Sequence, residues 1–337
     1  MTPTISDVAA RANVSVATAS RALSGVRPVS ESNLKRVVQA AEQLNYRPNL
    51  VAAALRKQVT DTIGLVVPQI SNPFFPALVE SVEWQLQSTT RQLLLCDSRG
   101  DADLESQRLQ ALLDRQVDGI MISPSDARRS APAIRTISAR VPLVQLDRRV
   151  TGEVTDWVGV DDEVGMGLLI NHLATVGTQS AAFVGAEPTN SSASHRLKAF
   201  KSETKASGLR TTKPLLRNFT TAWGVEAAQE LLTAEALPDA IVCGNDLIAI
   251  GVLRQLFLAG IRVPYDVLVT GFDDIPSAEL SIPSLTTVRQ PHEAMAFQAL
   301  RLLSERFEKR DAPYQRISLT PDLIIRQSTM SEASVPT

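Results

Sequence analysis

The sequence lacks the features of secreted and membrane-bound proteins. Its first four residues, MTPT, do not form a basic region followed by an apolar run, and no stretch approaches 18 consecutive apolar residues. Neither a secretory signal nor a membrane span is therefore predicted. The two cysteines, Cys96 and Cys243, each end an apolar run and lie far apart in the chain. Buried free thiols are favoured over a disulfide, and a reducing cytoplasm is the expected location.

Motifs for metal binding and for common catalytic chemistry are also missing. The three histidines, His172, His195 and His292, have no ligand spacing, so no metal site is predicted. There is no G-x-x-x-x-G-K-[ST] loop, no convincing G-x-G-x-x-G after the first predicted strand and no G-x-S-x-G elbow. No cofactor is expected, and the chain is not predicted to be an enzyme.

What the sequence does contain is an uneven distribution of charge over its 337 residues. Residues 1–60 carry eight Lys and Arg against three Asp and Glu, a formal balance of +5, whereas the whole chain is at −2 and the remainder at −7. A small basic head on an acidic body is typical of a phosphate-binding module attached to another domain. DNA binding is therefore favoured over a plain helical bundle.

The N-terminal segment predicts two short helices joined by a turn. Thr4 lies three residues before Asp7, which is the spacing of a capping box, and Ser15 with Thr18 predicts the start of a second helix that ends at Ser24. Such a pair indicates a helix-turn-helix unit. A third helix is expected from a Ser30 cap, and its predicted apolar face consists of Leu34, Val37, Val38, Ala41 and Leu44.

This segment and the residues after it resemble the head and hinge of the LacI/GalR family of bacterial repressors. The resemblance is carried by Thr4–Gly25, by Tyr46-Arg47-Pro48-Asn49 and by Ala52–Arg56, and it continues to about Gln327. It implies an all-α helix-turn-helix head and an α/β two-lobed body of the periplasmic-binding-protein type, with parallel sheets and helices on both faces. The implied boundaries are a head over 1–47, a hinge over 48–60, a body over 61–327 (N-lobe about 61–158 and 291–322, C-lobe about 159–290) and a flexible tail over 328–337.

In a helix-turn-helix unit the second helix lies in the major groove, and its first residues meet the base edges. Here those residues are Val16 and Ala17, with Arg21 one turn further along the same face. Arg21 is the one side chain of the three that can make a bidentate contact with guanine, and Thr18 and Ser20 suit phosphate contacts. The resemblance implies the same three reading positions.

The segment Leu50–Lys57 is rich in helix formers but shorter than the roughly 12–15 residues that an isolated helix needs in water. By composition alone a solvated linker is the ordinary interpretation. Its position between a basic head and an acidic body favours a helix that forms on DNA. In the family this segment pairs with its twin from a second subunit in the minor groove, which implies DNA contacts for Asn49, Ala53 and Leu55, with Leu55 as a wedge between base pairs.

From Thr62 onward, apolar strand-like runs alternate with helical segments. Continuous apolar runs between helices indicate parallel strands that are covered on both faces. Two such sets in series, the second predicted to begin at Val158–Val160, indicate two lobes. Ligands bind such sheets beyond the carboxyl ends of the strands, so the residues after each strand are the candidate ligand contacts.

Polar and aromatic residues are concentrated at those strand ends. A polyhydroxylated ring needs such a set, because each hydroxyl group requires a donor and an acceptor and the C–H face requires an apolar plate. Any one of these residues is better explained as a cap or an ion-pair partner, but ten together favour a ligand site. The candidates are Asn72, Phe74, Phe75, Asp147, Arg148, Arg196, Phe219, Asn245, Asp273 and Gln290.

The ten candidates also resemble the pocket of periplasmic ribose-binding proteins, which implies ribose or a related pentose or cyclic polyol as the effector. Purine-binding relatives stack their ligand at the positions of Phe74 and Phe219 too, but they carry a basic residue where Asn190 stands here. A purine, nucleoside or hexose effector is the alternative within the family. A periplasmic-type transport protein is the alternative outside it, and the basic head and missing signal argue against that class.

Asp147 and Asp273 could form an acid–base pair, but Arg148 and Arg196 beside them are expected to keep both carboxylates ionised and weak as acids. Together, the head, the hinge and the two-lobed body predict a regulator, most simply a repressor, that forms a homodimer or a higher oligomer. Two heads would read the half-sites of a near-palindromic operator. A small sugar-like effector between the lobes would change DNA affinity through the hinge, and no membrane partner is expected.

Overall fold

The computed structural model describes residues 3–24, 28–46, 59–152 and 155–330. The chain divides into two compact units, the head (1–60) and the body (61–337). The predicted hinge contacts Asn49, Ala53 and Leu55 lie outside the described residues. None of the described helices is long and apolar enough to cross a membrane.

The described part of the head contains three helices, α1 (Ile5–Ala12), α2 (Val16–Ser24) and α3 (Glu31–Gln43). The predicted capping box opens α1. The Asp7 amide donates to Thr4 Oγ1 at 3.4 Å, and the Thr4 amide donates to Asp7 Oδ2 at 2.8 Å. These two bonds satisfy backbone amides at the helix start that have no acceptor within the helix.

The turn between α1 and α2 follows from two local features. Asn13 adopts the left-handed conformation, with φ of 52°, and ends α1; asparagine tolerates this conformation better than most residues. Ser15 Oγ accepts a hydrogen bond from the Thr18 amide at 3.2 Å, as its predicted role requires. The buried residues of the head are Val8, Ala9, Ala12, Ala19, Ala22, Val37, Ala40 and Ala41.

Ser30 occupies the N-cap position of α3, as predicted, but its hydroxyl contacts the Ser32 hydroxyl at 3.3 Å and makes no cap bond. The predicted apolar face of α3 is wrong in part. On the predicted apolar face, Leu34 and Val38 are 39% and 40% exposed, whereas Ala40 is buried. The core of the head consists largely of alanine. Because these side chains are small, α1 and α2 pack closely on one narrow face of α3, and Leu34 and Val38 lie at the edge of that contact.

The body alternates strands and helices along most of its length. Its first part consists of β1 (Thr62–Val67), α4 (Phe74–Leu86), β2 (Gln92–Asp97), α5 (Ala102–Asp114), β3 (Gly119–Ile122), α6 (Ala131–Ser138), β4 (Leu143–Leu146) and β5 (Asp156–Val160). Its second part consists of α7 (Asp162–Thr175), β6 (Ser180–Ala186), α8 (Ser191–Ala206), β7 (Arg210–Thr211), β8 (Leu215–Arg217), α9 (Thr221–Leu232), β9 (Ala240–Cys243), α10 (Asp246–Leu258), β10 (Leu268–Thr270) and α11 (Pro276–Leu280). The last elements are β11 (Thr287–Arg289), α12 (His292–Glu308), β12 (Arg316–Leu319), β13 (Asp322–Ile324) and a 3₁₀ turn (Gln327–Thr329).

Two parallel sheets form the centres of the two lobes. The N-lobe sheet has the order β12-β5-β4-β3-β1-β2, and the C-lobe sheet has the order β10-β9-β6-β7 with β8 also paired to β6. All pairs within these two sheets are parallel. Parallel strands place their carboxyl ends at one edge, so the segments after β1 and β4 meet in one lobe and those after β6, β9 and β10 meet in the other.

The chain passes between the lobes three times, after β5, after β11 and after β12. β11 pairs antiparallel with β13 in a small separate sheet. The prediction that Val158–Val160 begins the second set of strands is wrong, because β5 lies between β4 and β12 in the first sheet. The first crossing comes only after that strand.

The predicted flexible tail does not begin at Ser328. Ser328 Oγ donates to the Val269 carbonyl at 2.6 Å and accepts from the Thr286 amide at 2.8 Å. Thr329 Oγ1 contacts the Thr286 hydroxyl at 2.7 Å. These bonds bury both residues against β10 and the segment before β11. Residues 331–337 lie outside the described residues.

Candidate functional site

The exposed face of α2 carries the three residues predicted to read DNA. Val16 is 46% exposed, and Ala17 and Arg21 are exposed beside it. Ala19 and Ala22 occupy the opposite face and pack into the head core. An α-helix turns 100° per residue, so positions i, i+1 and i+5 share one face while i+3 and i+6 face away from it. The predicted phosphate contacts Thr18 and Ser20 are half-buried at the edges of that face.

The ten residues predicted at the strand ends of the body line a single cavity between the two lobes, and Ser192 joins them. The cavity holds about 240 Å³ of empty space, its open mouth included. Asn72, Phe74, Phe75, Asp147 and Arg148 come from the N-lobe. The C-lobe contributes Ser192, Arg196, Phe219, Asn245 and Asp273, while Gln290 lies on the crossing between β11 and α12.

Aromatic rings from both lobes surround one guanidinium group of this cavity. The Phe74 and Phe75 rings pack edge to face, with centroids 5.0 Å apart and planes at 83°. The Arg148 Cζ atom lies 5.5 Å from the centroid of Phe75 and 5.6 Å from that of Phe219. Arg148 therefore occupies the space between an N-lobe ring and a C-lobe ring, and both contacts are cation–π contacts.

Asp147 is held directly after β4 in an unusual backbone conformation. Its φ is 64°, in the left-handed region that costs a non-glycine residue free energy and is common at functional sites. Asp147 Oδ2 accepts a hydrogen bond from the Ser123 hydroxyl at 3.0 Å and lies 3.8 Å from Arg148 Nε. Burial outweighs the attraction to this arginine and raises the pKa of Asp147 to about 6.

Asp273 has a parallel position after β10 in the C-lobe. Its φ is 116°, and Asp273 Oδ1 accepts hydrogen bonds from Gln290 Nε2 at 2.8 Å and from Arg196 Nη1 at 3.3 Å. Burial raises the pKa of Asp273 above its ordinary value even though Arg196 opposes this. Arg148 and Arg196 favour the ionised forms, as expected, but the loss of hydration is the larger effect and raises both pKa values.

Arg196 projects from the second turn of α8 and is fully engaged on the C-lobe side. Its Nε donates to Asp162 Oδ1 at 2.7 Å, and its Nη1 donates to the Gly244 carbonyl at 2.9 Å. Its Cζ lies 3.7 Å from the centre of the Phe272 ring. Burial opposes its charge, but Asp162 and Asp273 together raise the pKa of the guanidinium group. Arg196 therefore remains a fixed cation in the wall of the cavity.

The two polar atoms of the Asn245 side chain have different roles: Oδ1 caps a helix, and Nδ2 lies in the cavity lining without a partner among the described residues. Its Oδ1 accepts from the Ile248 amide at 3.1 Å and caps α10. Gly244 immediately before it permits a close approach of chains, because a Cβ atom there would lie 3.1 Å from Gly185 Cα and 3.5 Å from the Phe219 ring. A larger residue at position 244 would therefore displace the aromatic wall.

Within the described part of the chain, four polar atoms of the lining residues are buried without a hydrogen-bond partner. They are Arg148 Nε, Ser192 Oγ, Asn245 Nδ2 and Gln290 Oε1. Buried polar atoms are normally paired, and each unpaired one costs about 1–3 kcal/mol. Two of these atoms are donors, one is an acceptor and the serine hydroxyl is both. The cavity is therefore prepared for a small polar molecule with both donors and acceptors.

Three residues that matter for this cavity were not identified from the sequence. Ser192 lies in the first turn of α8, beyond the loop that follows β6. Ser123 positions Asp147, and Asp162 positions Arg196. The strand-end rule points to Ser123 in hindsight, because it directly follows β3. Asn190, the position compared with purine-binding relatives, does not line the cavity, since its Oδ1 caps α8 by accepting from the Ala193 amide at 3.0 Å.

A helix-turn-helix head joined to a two-lobed body with a ligand-sized interlobe cavity defines a class of proteins, the ligand-controlled transcription regulators. Comparison with known families agrees. Residues 4–49 match the bacterial regulatory proteins of the lacI family, and residues 170–329 match the periplasmic binding protein-like domain. The chain belongs to the LacI family of DNA-binding transcriptional repressors.

Individual relatives are similar over nearly the whole chain. The HTH-type transcriptional repressor PurR of Photobacterium profundum is 30% identical over 96% of this chain and 98% of its own length. The ribose operon repressor of Escherichia coli K12 is 31% identical over 96% of this chain and 99% of its own length. A solved LacI-family regulator from Enterococcus faecium with bound ribose is 28% identical over 80% of this chain and 98% of that one, with a TM-score of 0.70.

Proposed function

We propose that the protein is a cytoplasmic repressor controlled by ribose or a closely related pentose or cyclic polyol bound in the interlobe cavity. The observation that carries this proposal is the set of four unpartnered buried polar atoms between aromatic rings. A furanose or pyranose ring offers several hydroxyl groups, each a donor and an acceptor, and a C–H face that packs on Phe rings. The relatives with ribose in their names or titles support the same choice.

The cavity is nearly filled by its own side chains. Its empty space of about 240 Å³ includes the open mouth, so its size alone does not distinguish a monosaccharide from a larger effector. The lining side chains approach each other so closely that a molecule larger than water enters only if the lobes part or Arg148 moves. Binding would therefore be coupled to movement between the lobes.

A purine effector is the second candidate, because relatives named PurR are as similar to this chain as the ribose repressors. The family resemblance implies a basic residue at the position of Asn190 in purine-binding relatives. Asn190 here is an uncharged cap of α8 that points into the helix start rather than into the cavity. This favours a neutral sugar, and a titration with both ligand classes separates the two candidates.

The proposed mechanism places the regulator on operator DNA as a homodimer. An apolar groove on the C-lobe supports self-association: Phe257, Tyr265 and Ile282 line it and are 77%, 57% and 91% exposed. Exposed apolar patches of this kind on soluble proteins mark interaction sites, and a two-fold dimer would match a near-palindromic operator. An effector that moves the lobes would change operator affinity by a coupling free energy of roughly 1–3 kcal/mol.

The effector assignment is tested by calorimetric titration of the full-length protein with ribose, other pentoses, a hexose, adenine and adenosine. We expect saturable ribose binding that Asp273→Asn weakens by at least about tenfold, because charged hydrogen bonds contribute roughly 1.5–3 kcal/mol. Asparagine tolerates a positive φ, so this change removes charge without adding strain.

Glu226→Gln is the matched control, because Glu226 pairs with Arg217 on the surface of the C-lobe, outside the cavity and the apolar groove. Its ribose affinity should equal that of the wild type, and both variants should bind operator DNA normally without ligand. Binding of adenine or adenosine in place of ribose would replace the sugar assignment with the purine one. Loss of operator binding by ligand-free Asp273→Asn would instead give Asp273 a structural role.

A further inference from the structure

A second cleft between the lobes lies beside the proposed effector cavity and shares none of its lining residues. It holds about 1,420 Å³ of empty space, its open mouth included. The N-lobe contributes the segments after β3 and β4, and the C-lobe contributes the start of α8. Ser191 lines this cleft while its neighbour Ser192 lines the effector cavity, so one helix start separates the two spaces.

The described lining of this cleft is predominantly basic. Arg128, Arg149, Arg316 and His195 line it, and Asp126 is the one acidic residue of the described lining. Arg128 and Arg316 are exposed to the cleft mouth, and Arg316 Nη2 donates to the Gly152 carbonyl at 3.0 Å. Guanidinium groups around one space attract anions. Arg316 also has a further partner, so Arg128 and Arg149 are the groups that matter most here.

Arg149 is the central group of this cluster. Its Cζ lies 4.8 Å from the Trp157 ring centre, and its Nε is buried without a hydrogen-bond partner in the described structure. Burial and the nearby charge of Arg316 both lower the pKa of Arg149. Two like charges held close together, one with a buried free N–H group, are stabilised when an anion binds between them.

Among the described residues, the carboxylates near Arg149 are already bonded to other groups. Asp126 Oδ1 accepts from the Arg128 and Arg129 amides, both at 2.8 Å. Asp162 is bonded to Arg196 at 2.7 Å, and Glu163 is bonded to Lys198 at 2.9 Å. None of the three replaces an external anion next to Arg149 without giving up its present partner.

The start of α8 adds a further favourable feature on the opposite wall. The helix has 16 residues and no acidic residue in its first turn, so its positive N-terminal end is not neutralised from within. Ser191 Oγ accepts a hydrogen bond from the Arg149 amide at 3.0 Å, which brings the backbone of the arginine against the helix start. The two lobes are also joined here by the Ala127 amide, which donates to the Thr189 carbonyl at 2.7 Å.

We propose that this cleft is an anion site that binds the phosphate group of a small metabolite or inorganic phosphate. A phosphate group accepts bidentate hydrogen bonds from guanidinium groups and carries more negative charge than a carboxylate. Because its walls come from both lobes, a bound phosphate bridges them and favours the arrangement in which Ala127 and Thr189 are bonded. The site stands independently of the effector assignment, since it shares no lining residue with the other cavity.

The test is calorimetric titration of the full-length protein with inorganic phosphate, with potassium chloride adjusted to keep the ionic strength constant. We expect one saturable site per chain in the wild type. Arg149→Gln should weaken it at least about tenfold, as expected for loss of a charge-assisted pair, and Arg128→Gln should weaken it by a smaller factor. Arg128 is exposed, so its replacement leaves the fold intact even if Arg149→Gln unfolds the body.

Two control variants account for other positive charges. Arg217→Gln removes an exposed arginine of the C-lobe that pairs with Glu226 outside both cavities, and Arg21→Gln removes a basic residue of the head. Both should bind phosphate as the wild type does. The proposal is overturned if phosphate gives no saturable heat, if folded Arg149→Gln and Arg128→Gln bind it like the wild type, or if Arg21→Gln alone abolishes binding.

A second titration separates the two sources of phosphate. Ribose 5-phosphate is added to protein with and without saturating ribose. Competition with ribose means that one sugar phosphate spans the cavity and the cleft, and undisturbed simultaneous binding means that the cleft takes a separate phosphate; both outcomes require a cleft sensitive to Arg149→Gln. Failure of ribose itself to bind overturns the effector assignment and leaves the phosphate result unaffected.

Discussion

At the scale of single residues, the cavity contains two aspartates whose backbone conformation and burial are unfavourable in free energy. Asp147 and Asp273 both follow a strand and both adopt positive φ values, which for aspartate costs of order 1–3 kcal/mol each. Both carboxylates are also buried, and burial raises both pKa values in spite of neighbouring arginines. A folded protein retains such costs where the geometry serves a ligand, so these two aspartates are the residues most informative to change.

The raised pKa of Asp147 predicts a pH-dependent effector affinity. A carboxylate accepts a stronger hydrogen bond from a sugar hydroxyl than a protonated acid does, so ribose affinity should fall below pH 6, by at most about tenfold per pH unit. Asp147→Asn should bind more weakly at pH 7.5 and lose this dependence. Calorimetry of both proteins between pH 5 and 8 measures the effect, and identical pH profiles would refute the role of Asp147.

The same group makes an opposite contribution to folding stability. Its pKa is about 6 in the native state against 3.8 without the fold, so the native state holds the proton over a wider pH range. The contribution of Asp147 to the free energy of unfolding is therefore greatest below pH 4 and falls as pH rises from about 4 to 6. Denaturant unfolding of the wild type should show this fall relative to Asp147→Asn, and a difference that is constant with pH would contradict it.

At the scale of elements, α2 combines two functions on two faces. Small residues pack one face into the head core, while Val16, Ala17 and Arg21 remain exposed on the other. The helix is placed by a left-handed Asn13 and by the Ser15 cap before it. The turn at Asn13, the Ser15 cap and the packing of alanine side chains in the head core therefore fix the orientation of the DNA-reading face of α2.

Replacement of Arg21 by alanine should relax specificity at one base pair. A bidentate arginine contact discriminates against a wrong base by roughly 1–3 kcal/mol, which is about 5–150-fold in affinity. Selection from a randomised duplex library with wild type and Arg21→Ala measures the preference at each position. Arg36→Ala, on the exposed face of α3, is the control and should leave the selected sequence unchanged. A uniform loss at all positions would assign Arg21 to a phosphate contact.

At the scale of the whole molecule, the body behaves as two sheets connected by three crossings, with the effector cavity and the basic cleft both between them. Gln290 lies on one crossing and bonds to Asp273 of the C-lobe. A ligand at that position acts on both lobes at once, so relative movement of the lobes is the natural response to binding.

The exposed apolar groove of the C-lobe predicts that a charge there separates subunits. Phe257→Glu should convert a dimer to a monomer in sedimentation measurements at micromolar concentration, because an unpaired charge would be buried in the interface. Val176→Glu is the control, since Val176 is also an exposed apolar residue of the C-lobe but lies outside the groove. A dimer that survives Phe257→Glu would place the interface elsewhere.

The sequence by itself determined the class of fold, the helix starts at Thr4 and Ser15 and the ten residues at strand ends, because capping, periodicity and parallel-strand geometry act within short stretches of chain. It did not determine which face of α3 is buried, that β5 belongs to the first sheet, that Ser328 and Thr329 are fixed by Val269 and Thr286, or that Ser192 joins the cavity. It also could not show the direction of the pKa shifts of Asp147 and Asp273, since these depend on burial in the folded body. Those features rest on contacts between residues far apart in the chain, and only the tertiary structure sets the hydration and spacing on which they depend.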